Sequence, residues 1–139
     1  MISFVEITSK EADLKDSYHL LGLRTKSISH QSMPSFQEHQ EFVQKHPYRY
    51  WCFIKLLKEN IGTLYLSNVN SVGINLIDKY KDMTEEVLLR LRETFKPLPP
   101  IKSVRSSTFI INVPLDDHQL ADTIKRLGGN EIQKTFTFP

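Results

Sequence analysis

The chain has 139 residues, of which 40% are hydrophobic and 24% are charged, and its formal net charge is +2 at pH 7. That charge balance argues against a dedicated nucleic-acid-binding protein, and no apolar run approaches the roughly 20 residues that cross a membrane. The first residues lack the basic start of a secretory signal, and the single cysteine, Cys52, excludes an internal disulfide. We therefore predict one globular cytoplasmic domain over residues 1–139, without nucleic-acid or membrane partners.

A strand and a helix are predicted at the start of the chain. Apolar and polar residues alternate from Ile2 to Ile7, which indicates a strand with one buried face. Thr8 or Ser9 is expected to cap a helix from Lys10 to Gly22. The polar stretch from Arg24 to Ser32 has no clear periodicity and is interpreted as a loop, which is where substrate contacts usually lie.

The second predicted helix has the clearest local pattern. Ser35 and Glu38 have the spacing of a capping box, in which each side chain binds the backbone N–H of the other residue. The helix is expected to end near Lys45, because Pro47 lacks an N–H and disfavours helical geometry in the residue before it. This capping role is the simpler account of Glu38, although a catalytic role for its carboxylate is the alternative.

Three short apolar runs separated by turn residues predict an antiparallel meander after this helix. Asn70 lies in the second turn, where asparagine tolerates a positive φ. Gly62 and Gly73 lie inside strands, where glycine often marks a bulge or the close approach of another group. The predicted strands are Tyr48 to Leu57, Ile61 to Leu66 and Val72 to Ile77.

Two helices and two strands are expected in the remainder of the chain. They are a helix from Glu85 to Phe95 capped by Thr84, a strand from Ser107 to Val113, a helix from Asp117 to Leu127 ended by Gly128, and a strand from Glu131 to Phe138. The element order predicts an α+β or three-layer α/β domain, with a mixed, mostly antiparallel sheet of six to seven strands and about four helices.

This element order, carried on particular residues, resembles the GNAT superfamily of acyl-coenzyme A dependent N-acetyltransferases. The resemblance covers nearly the whole chain and is closest to members that acetylate amino sugars and other small amines. It rests on Arg24, Ser27 and Ser29, on Pro34 to His39, on His46 to Trp51, on Ile61 to Leu66, on Val72 to Ile74 and on Leu127 to Phe136.

Three departures from the family pattern fall on its chemistry. The family binds the coenzyme A pyrophosphate with a glycine-rich loop that opens a helix, but residues 78–84 contain no glycine. Ser71 stands where many members hold a carboxylate base, and Ile124 stands where a tyrosine often protonates the departing thiolate. Gly129 replaces the phenylalanine that commonly follows the Leu-Gly pair.

The resemblance implies an acceptor pocket whose titratable candidates for catalysis are His30, His39 and Tyr48. The two histidines each have a simpler reading, His30 as a solvated loop residue and His39 as a packed core histidine. Tyr48 is alternatively a wall of the pocket. Arg24 is interpreted either as a clamp on an acceptor anion or as a surface residue in a local ion pair. Ser27, Ser29 and Tyr65 complete the predicted substrate-binding set, and Trp51 is expected to pack in the core.

For acetyl-CoA as co-substrate, the resemblance places pantetheine on the backbone of Asn75, Leu76 and Ile77. Lys79, Lys81 and the helix start at Thr84 are the predicted phosphate contacts, opposed by four nearby carboxylates. No metal site is expected. The leading hypothesis is acetyl transfer from acetyl-CoA to a primary amine of a small molecule. The alternative is a non-catalytic binding module of the same fold, and a homodimer formed through a sheet edge or the last strand is a further possibility.

Overall fold

The computed structural model describes residues 1–24 and 32–139. Its helices are α1 (Glu11–Gly22), α2 (Phe36–Lys45), a 3-10 helix (Asp78–Met83), α3 (Thr84–Thr94) and α4 (His118–Arg126). Its strands are β1 (Ile2–Glu6), β2 (Tyr50–Leu56), β3 (Glu59–Leu66), β4 (Ser71–Leu76) and β5 (Ile110–Ile111). In the part of the chain that the structure describes, no helix is both long enough and apolar enough to span a membrane.

The strands form one sheet in the order β1-β2-β3-β4-β5. The first four are antiparallel neighbours, and β5 runs parallel to β4. The β2–β3 pairing shifts register between Ile54 and Lys55, so Ile61, beside Gly62 in β3, is an extra residue without a partner in β2. This mixed sheet confirms the predicted fold class, with fewer strands than expected among the described residues.

Helices cover both faces of the sheet because alternate residues of each strand bury apolar side chains on opposite sides. On one face, the side chains of β2, β3 and β4 pack with Val87, Leu88 and Leu91 of α3. On the other face, Phe53 packs with Val43 of α2 and with residues of α1. The result is a three-layer arrangement with the sheet in the middle.

Cys52 lies at the centre of this arrangement, on a strand paired on both sides. Its side chain is completely buried, and its thiol donates to the Leu64 carbonyl at 3.5 Å. Burial raises the pKa of the Cys52 thiol to about 12. The thiol therefore packs as a small apolar group and does not act as a nucleophile.

The helix predictions succeed where a local cap or stop is decisive. The capping box of α2 is present in full, because Ser35 accepts from the Glu38 N–H at 3.1 Å and Glu38 accepts from the Ser35 N–H at 2.9 Å. The α2 helix ends at Lys45, as expected. Asp117 caps α4 by accepting from the Leu120 N–H, and Gly128 follows that helix with a φ of 100°.

The predicted caps of α1 and α3 are wrong. Lys10 precedes α1 without a side-chain cap, because the Thr8 hydroxyl and N–H both donate to Asp13 instead. Thr84 is the first residue of α3, and its hydroxyl donates back to the Lys81 carbonyl at 2.7 Å. The connection before α3 is a 3-10 helix that continues into α3.

Two strand predictions are also corrected. Only Ile110 and Ile111 of the run from Ser107 to Val113 pair with the sheet. The run from Glu131 to Phe138 forms no strand, and every one of its side chains is exposed. An isolated run gains no ladder hydrogen bonds, so strand-type composition alone does not form a strand.

A single side chain, Asn70, fixes where β5 begins. Asn70 is fully buried in the turn before β4 with a φ of 64°, which confirms the positive φ expected of this turn. Its amide donates to the carbonyls of Leu98 and Ser106 at 2.9 Å each and accepts from the Leu98 N–H at 2.7 Å. Its own carbonyl accepts from the Ile110 N–H at 2.9 Å. Asn70 therefore ties the proline-rich connection after α3 to the sheet.

Candidate functional site

The parallel pair β4–β5 opens after its first two residues. Register pairs join Ser71 to Ile110 and Val72 to Ile111, and no described residue continues the ladder beside Gly73 to Leu76. Successive residues of β4 turn their backbone groups to opposite sides. The Ile77 N–H donates to the Ile61 carbonyl and the Ser71 carbonyl accepts from Ser67, so the odd-numbered residues face β3. Ile74 and Leu76 therefore present their N–H and C=O groups to the open side.

This geometry revises which backbone groups are available for pantetheine. Of the three predicted residues, Leu76 faces the opening, whereas Asn75 and Ile77 turn their backbone groups towards β3. Ile74 is the second residue at the open edge, and the sequence reasoning missed it. Alternation from the register would have identified it once the strand pairing was known.

An aromatic cluster lies on the α1/α2 face of the sheet next to this opening. Tyr48 stacks on Tyr65 with ring centroids 4.2 Å apart, and Trp51 and Phe42 meet Tyr48 edge-on. A Cβ at Gly73 would lie 1.9 Å from the Tyr65 ring, so the absent side chain of Gly73 seats that ring on β4. The cluster therefore touches the first residue of the open edge.

Arg24 brings a positive charge to the Tyr48–Tyr65 pair. Burial lowers the pKa of its guanidinium, while the hydroxyls of Tyr48 and Tyr65 oppose that shift. Burial likewise raises the pKa of Tyr48, helped by Tyr65 and opposed by Arg24. The charge of Arg24 therefore lies within electrostatic range of both phenols. Arg24 remains charged and Tyr48 remains protonated at neutral pH.

His39 lies beneath the cluster and is already bonded. It is buried on α2, and its Nε2 lies 2.7 Å from the Ser17 hydroxyl of α1. The Ser17 hydroxyl also lies 3.2 Å from the Leu14 carbonyl oxygen, so His39 is hydrogen-bonded to a group that is itself held within α1. The arrangement supports the packed, structural reading of His39 rather than the reading as a base.

The buried imidazole makes stability depend on pH. Burial lowers the pKa of His39 below its ordinary value of 6.5, so below that pH the unfolded chain binds a proton that the folded chain does not. We expect the free energy of unfolding to fall as the pH is lowered from about 6.5 towards 5. Urea unfolding across this range should show a flatter dependence for His39→Gln. His19→Gln, at an exposed position of α1, should retain the slope of the parent, and equal slopes in all three proteins would contradict the assignment.

In the 3-10 helix, the groups predicted to contact phosphate already have partners within the protein. The N–H groups of Tyr80 and Thr84 donate to the carbonyls of Ile77 and Lys81, so neither is free for an anion. Lys79 points its ammonium towards the Tyr80 ring at 5.3 Å. The Lys81 carbonyl also accepts from Gln119 of α4 at 3.2 Å. The backbone cradle that glycines provide is replaced by closed hydrogen bonds.

The space between this helix, α4 and the open edge of β4 is narrow. A cavity of about 10 Å³ lies there, which is room for a single water molecule. Its walls are Ile74, Leu76, Lys81, Thr84, Asp117, Gln119 and Leu120. The Asp117 and Gln119 side chains are committed to the α4 cap and to Lys81, so local hydrogen bonds hold this space closed.

The residues that depart from the family pattern at positions 71, 124 and 129 make local contacts in this structure. Ser71 hydrogen-bonds through its hydroxyl to Ser67 in the turn before β4. Ile124 packs against the α3-side core, and a Cβ at Gly129 would lie 2.4 Å from its Cγ2 atom. The position of Ile124 therefore leaves no room for a side chain at residue 129.

The remaining predicted residues divide into two groups. His30, Ser27 and Ser29 lie outside the described residues. Glu38 is exposed, and its hydrogen bonds with Ser35 lower the pKa of its carboxyl, consistent with the capping role.

His46, which the sequence reasoning did not propose for the site, stacks beside Tyr48 and accepts from the Tyr48 N–H at 3.2 Å.

A larger concavity of about 580 Å³ lies between α1 and α2. Its walls are mainly apolar and include Met33 and Phe36, and the Tyr18 hydroxyl there is already bonded to the Pro34 carbonyl. Lys15 and His19 are the other titratable wall residues among the described ones. The cluster beside β4 combines a cation, hydroxyls and open backbone groups, and it is therefore the better candidate site.

The fold agrees with that of solved structures. No protein-family model and no curated protein matches the chain. Similar structures include a domain from Methanocaldococcus jannaschii DSM 2661, with a TM-score of 0.63 and 16% identity over 97% of this chain and 92% of that one. A possible acetyltransferase from Clostridium difficile 630 has a TM-score of 0.60 and 10% identity over 100% and 97% of the two chains.

A third similar structure is the ribosomal-protein-alanine N-acetyltransferase from Brucella melitensis biovar Abortus 2308. Its TM-score is 0.59, with 8% identity over 100% of this chain and 99% of that one. The chain therefore has the fold of the GNAT acetyltransferases, as the sequence resemblance implied. At these identities the likeness concerns the fold, and the chemistry rests on the side chains of the site.

Proposed function

We propose that the protein transfers an acyl group from an acyl-CoA thioester, with acetyl-CoA the simplest donor, to the primary amine of a small molecule. The observation that carries this proposal is the position of Gly73. This residue begins the open edge of β4 and also seats the Tyr65 ring. A donor lying along the open edge would therefore meet an acceptor held against the Tyr48–Tyr65 stack.

Arg24 suits an amine acceptor in two ways. A guanidinium binds a carboxylate or phosphate on the same molecule through paired hydrogen bonds. Its positive charge also disfavours the ammonium form of a nearby amine, which lowers that amine's pKa and increases the neutral, nucleophilic fraction. This second effect reduces the need for a carboxylate base at Ser71.

Tyr48 is the proton donor in this proposal. Burial raises its pKa, so its hydroxyl keeps its proton at neutral pH. A protonated phenol beside the open edge can protonate a departing thiolate, while the attacking amine releases its own proton to solvent. Tyr65 forms the wall on which the acceptor packs.

The structure suits the pantetheine arm of the acyl-CoA donor better than its pyrophosphate. The backbone groups of Ile74 and Leu76 can pair with the amide-bearing pantetheine arm as with an added strand, once a shift of α4 widens the cavity that both residues line. The 3-10 helix does not suit the pyrophosphate, because its N–H groups at Tyr80 and Thr84 are engaged and the cavity beside it holds about one water. Binding energy is therefore expected from the arm more than from the nucleotide.

Thermal unfolding with added ligand tests the proposal. We expect both acetyl-CoA and S-acetylpantetheine to raise the melting temperature, since a ligand at 100 times its Kd adds about 2.7 kcal/mol of stability. Amines should then be screened by mass spectrometry for acetylated products. Stabilisation by neither thioester, together with no acetylated amine, would remove the enzyme reading and favour a non-catalytic binding module.

Two variants assign roles within the site. Tyr48→Phe keeps the ring stack but lacks the hydroxyl, and we expect kcat to fall by about 100-fold with little change in KM. Arg24→Gln should raise the acceptor KM, with kcat/KM about 10-fold to 100-fold lower and thioester affinity unchanged. Equal losses for donor and acceptor would show that Arg24 is structural.

A further inference from the structure

The link between α2 and β2 places His46 against the aromatic cluster. Residues 46–49 lie outside both elements, so no strand ladder satisfies their backbone groups. Pro47 has no N–H, and the Tyr48 N–H donates to Nδ1 of His46 at 3.2 Å. The His46 side chain therefore holds the backbone of Tyr48, as an asparagine does when it accepts from the N–H two residues further on.

The ring of His46 is also part of the cluster. It stacks beside the Tyr48 ring with centroids 5.4 Å apart, and it meets Trp51 edge-on at the same distance. Tyr48 in turn stacks on Tyr65, whose ring lies where a side chain at Gly73 would be. A continuous series of contacts therefore runs from His46 through the two tyrosines to the start of the open edge of β4.

The hydrogen bond to Nδ1 defines the protonation state of His46. A ring nitrogen that accepts carries no proton, so the imidazole is neutral, with its proton on Nε2. A second proton, on Nδ1, would turn the acceptor into a donor that faces the Tyr48 N–H. The side chain is only partly buried, and histidine is the residue type that changes charge between about pH 5 and pH 8. The bond to Tyr48 is therefore sensitive to the pH of the solution.

The surroundings of His46 offer an imidazolium no replacement for that bond. The ring contacts of His46 are with Tyr48 and Trp51. Among the residues that the structure describes, no carboxylate forms a hydrogen bond or an ion pair with it. The charged and titratable groups nearest to it are Tyr48 and Tyr65, Arg24 beside them, His39 on the far side of the cluster, and Lys45 and Arg49 in the adjoining chain.

We propose that neutral His46 is a positioning residue, which holds the proton donor Tyr48 at the acceptor side of the site, and that protonation of His46 releases Tyr48. Loss of the bond to Nδ1 frees the Tyr48 backbone, and the stack on Tyr65 loosens with it. The site is therefore assembled at neutral pH and loosened at acidic pH. The effect on catalysis rests on the proposed function, whereas the effect on the cluster does not.

The fluorescence of Trp51, the single tryptophan of the chain, tests the hold on Tyr48 without any ligand. His46→Asn is the matched variant, because asparagine supplies the acceptor but does not titrate. We expect the emission of the parent to change as the pH falls from about 8 to about 5, and that of His46→Asn to stay constant. His39→Gln removes the other histidine near Trp51, at 6.3 Å, and should keep the change. Constant emission in the parent, a change that persists in His46→Asn, or a change that disappears in His39→Gln would overturn the proposal.

The pH profile of acetylation separates positioning from packing. We expect the ratio of the kcat of His46→Asn to that of the parent to rise about tenfold between about pH 8 and about pH 5, because only the parent loses its hold on Tyr48. His46→Phe keeps a ring beside Tyr48 without an acceptor, and its kcat should be about tenfold below that of the parent even at pH 8. Equal profiles for the parent and His46→Asn would contradict the switch. If the parent acetylates no amine, the proposed function fails, and the emission of Trp51 still decides whether His46 holds Tyr48.

Discussion

Replacing Asn70 with alanine is expected to lower the free energy of unfolding by about 3–5 kcal/mol. The change removes three hydrogen bonds that the fully buried Asn70 makes to the partly buried backbone of Leu98 and Ser106. It also places alanine at a φ of 64°, which favours asparagine and glycine. Urea unfolding followed by circular dichroism measures the loss.

Two further substitutions separate these contributions. Asn70→Gly relieves the backbone strain but still lacks the amide, so it should recover only about 1 kcal/mol of the loss. Asn70→Asp keeps the acceptor for the Leu98 N–H but loses both donated bonds and buries a charge, so it should be at least as unstable as alanine. A loss below about 1 kcal/mol for Asn70→Ala would show that the amide does not hold the connection.

The substitution Gly73→Ala, which adds one methyl group, should disrupt the packing of the aromatic cluster. The new Cβ would lie 1.9 Å from the Tyr65 ring, so the ring must leave its place on β4 and the stack with Tyr48 is lost. We expect a destabilisation of about 1–3 kcal/mol from this overpacking. If the proposed function holds, acceptor affinity falls as well, because the pocket wall has moved.

A double-mutant cycle identifies the cause of that loss. In a Tyr65→Ala background the ring is absent, so Gly73→Ala should cost little, and the two changes should show a coupling energy of about 1–3 kcal/mol. Gly62→Ala is the matched control, because its Cβ would meet the Asn75 carbonyl oxygen at 2.1 Å. That clash is with backbone, and Tyr65→Ala should not relieve it. Additive effects of Gly73 and Tyr65 would contradict the seating role of the glycine.

Local signals in the sequence correctly predicted both ends of α2. A capping box and a following proline specify both ends of α2 by contacts within a few residues, which any sequence displays. The cap of α1 failed for a related reason. Asp13 competes for the Thr8 hydroxyl and N–H, and the sequence does not show which short-range partner wins.

Strand extents and the site depend on distant partners. The run from Ser107 to Val113 has strand composition throughout, but Asn70 and the divergence of β4 limit pairing to two residues. The meeting of Arg24, Tyr48 and Tyr65 is likewise set by sheet register and the α1 exit. The strand glycine at 73 was expected to mark a close approach, and the Tyr65 ring confirms that prediction.

Cys52, the single thiol at the centre of the sheet, can report how often the sheet opens. Burial raises the pKa of Cys52 to about 12, so the thiol is protonated at pH 7, and its side chain is completely buried. An alkylating reagent can therefore modify Cys52 only when β2 separates from its neighbours. The rate of modification in the folded protein counts those openings, and it would report how often the centre of the sheet is breached under native conditions.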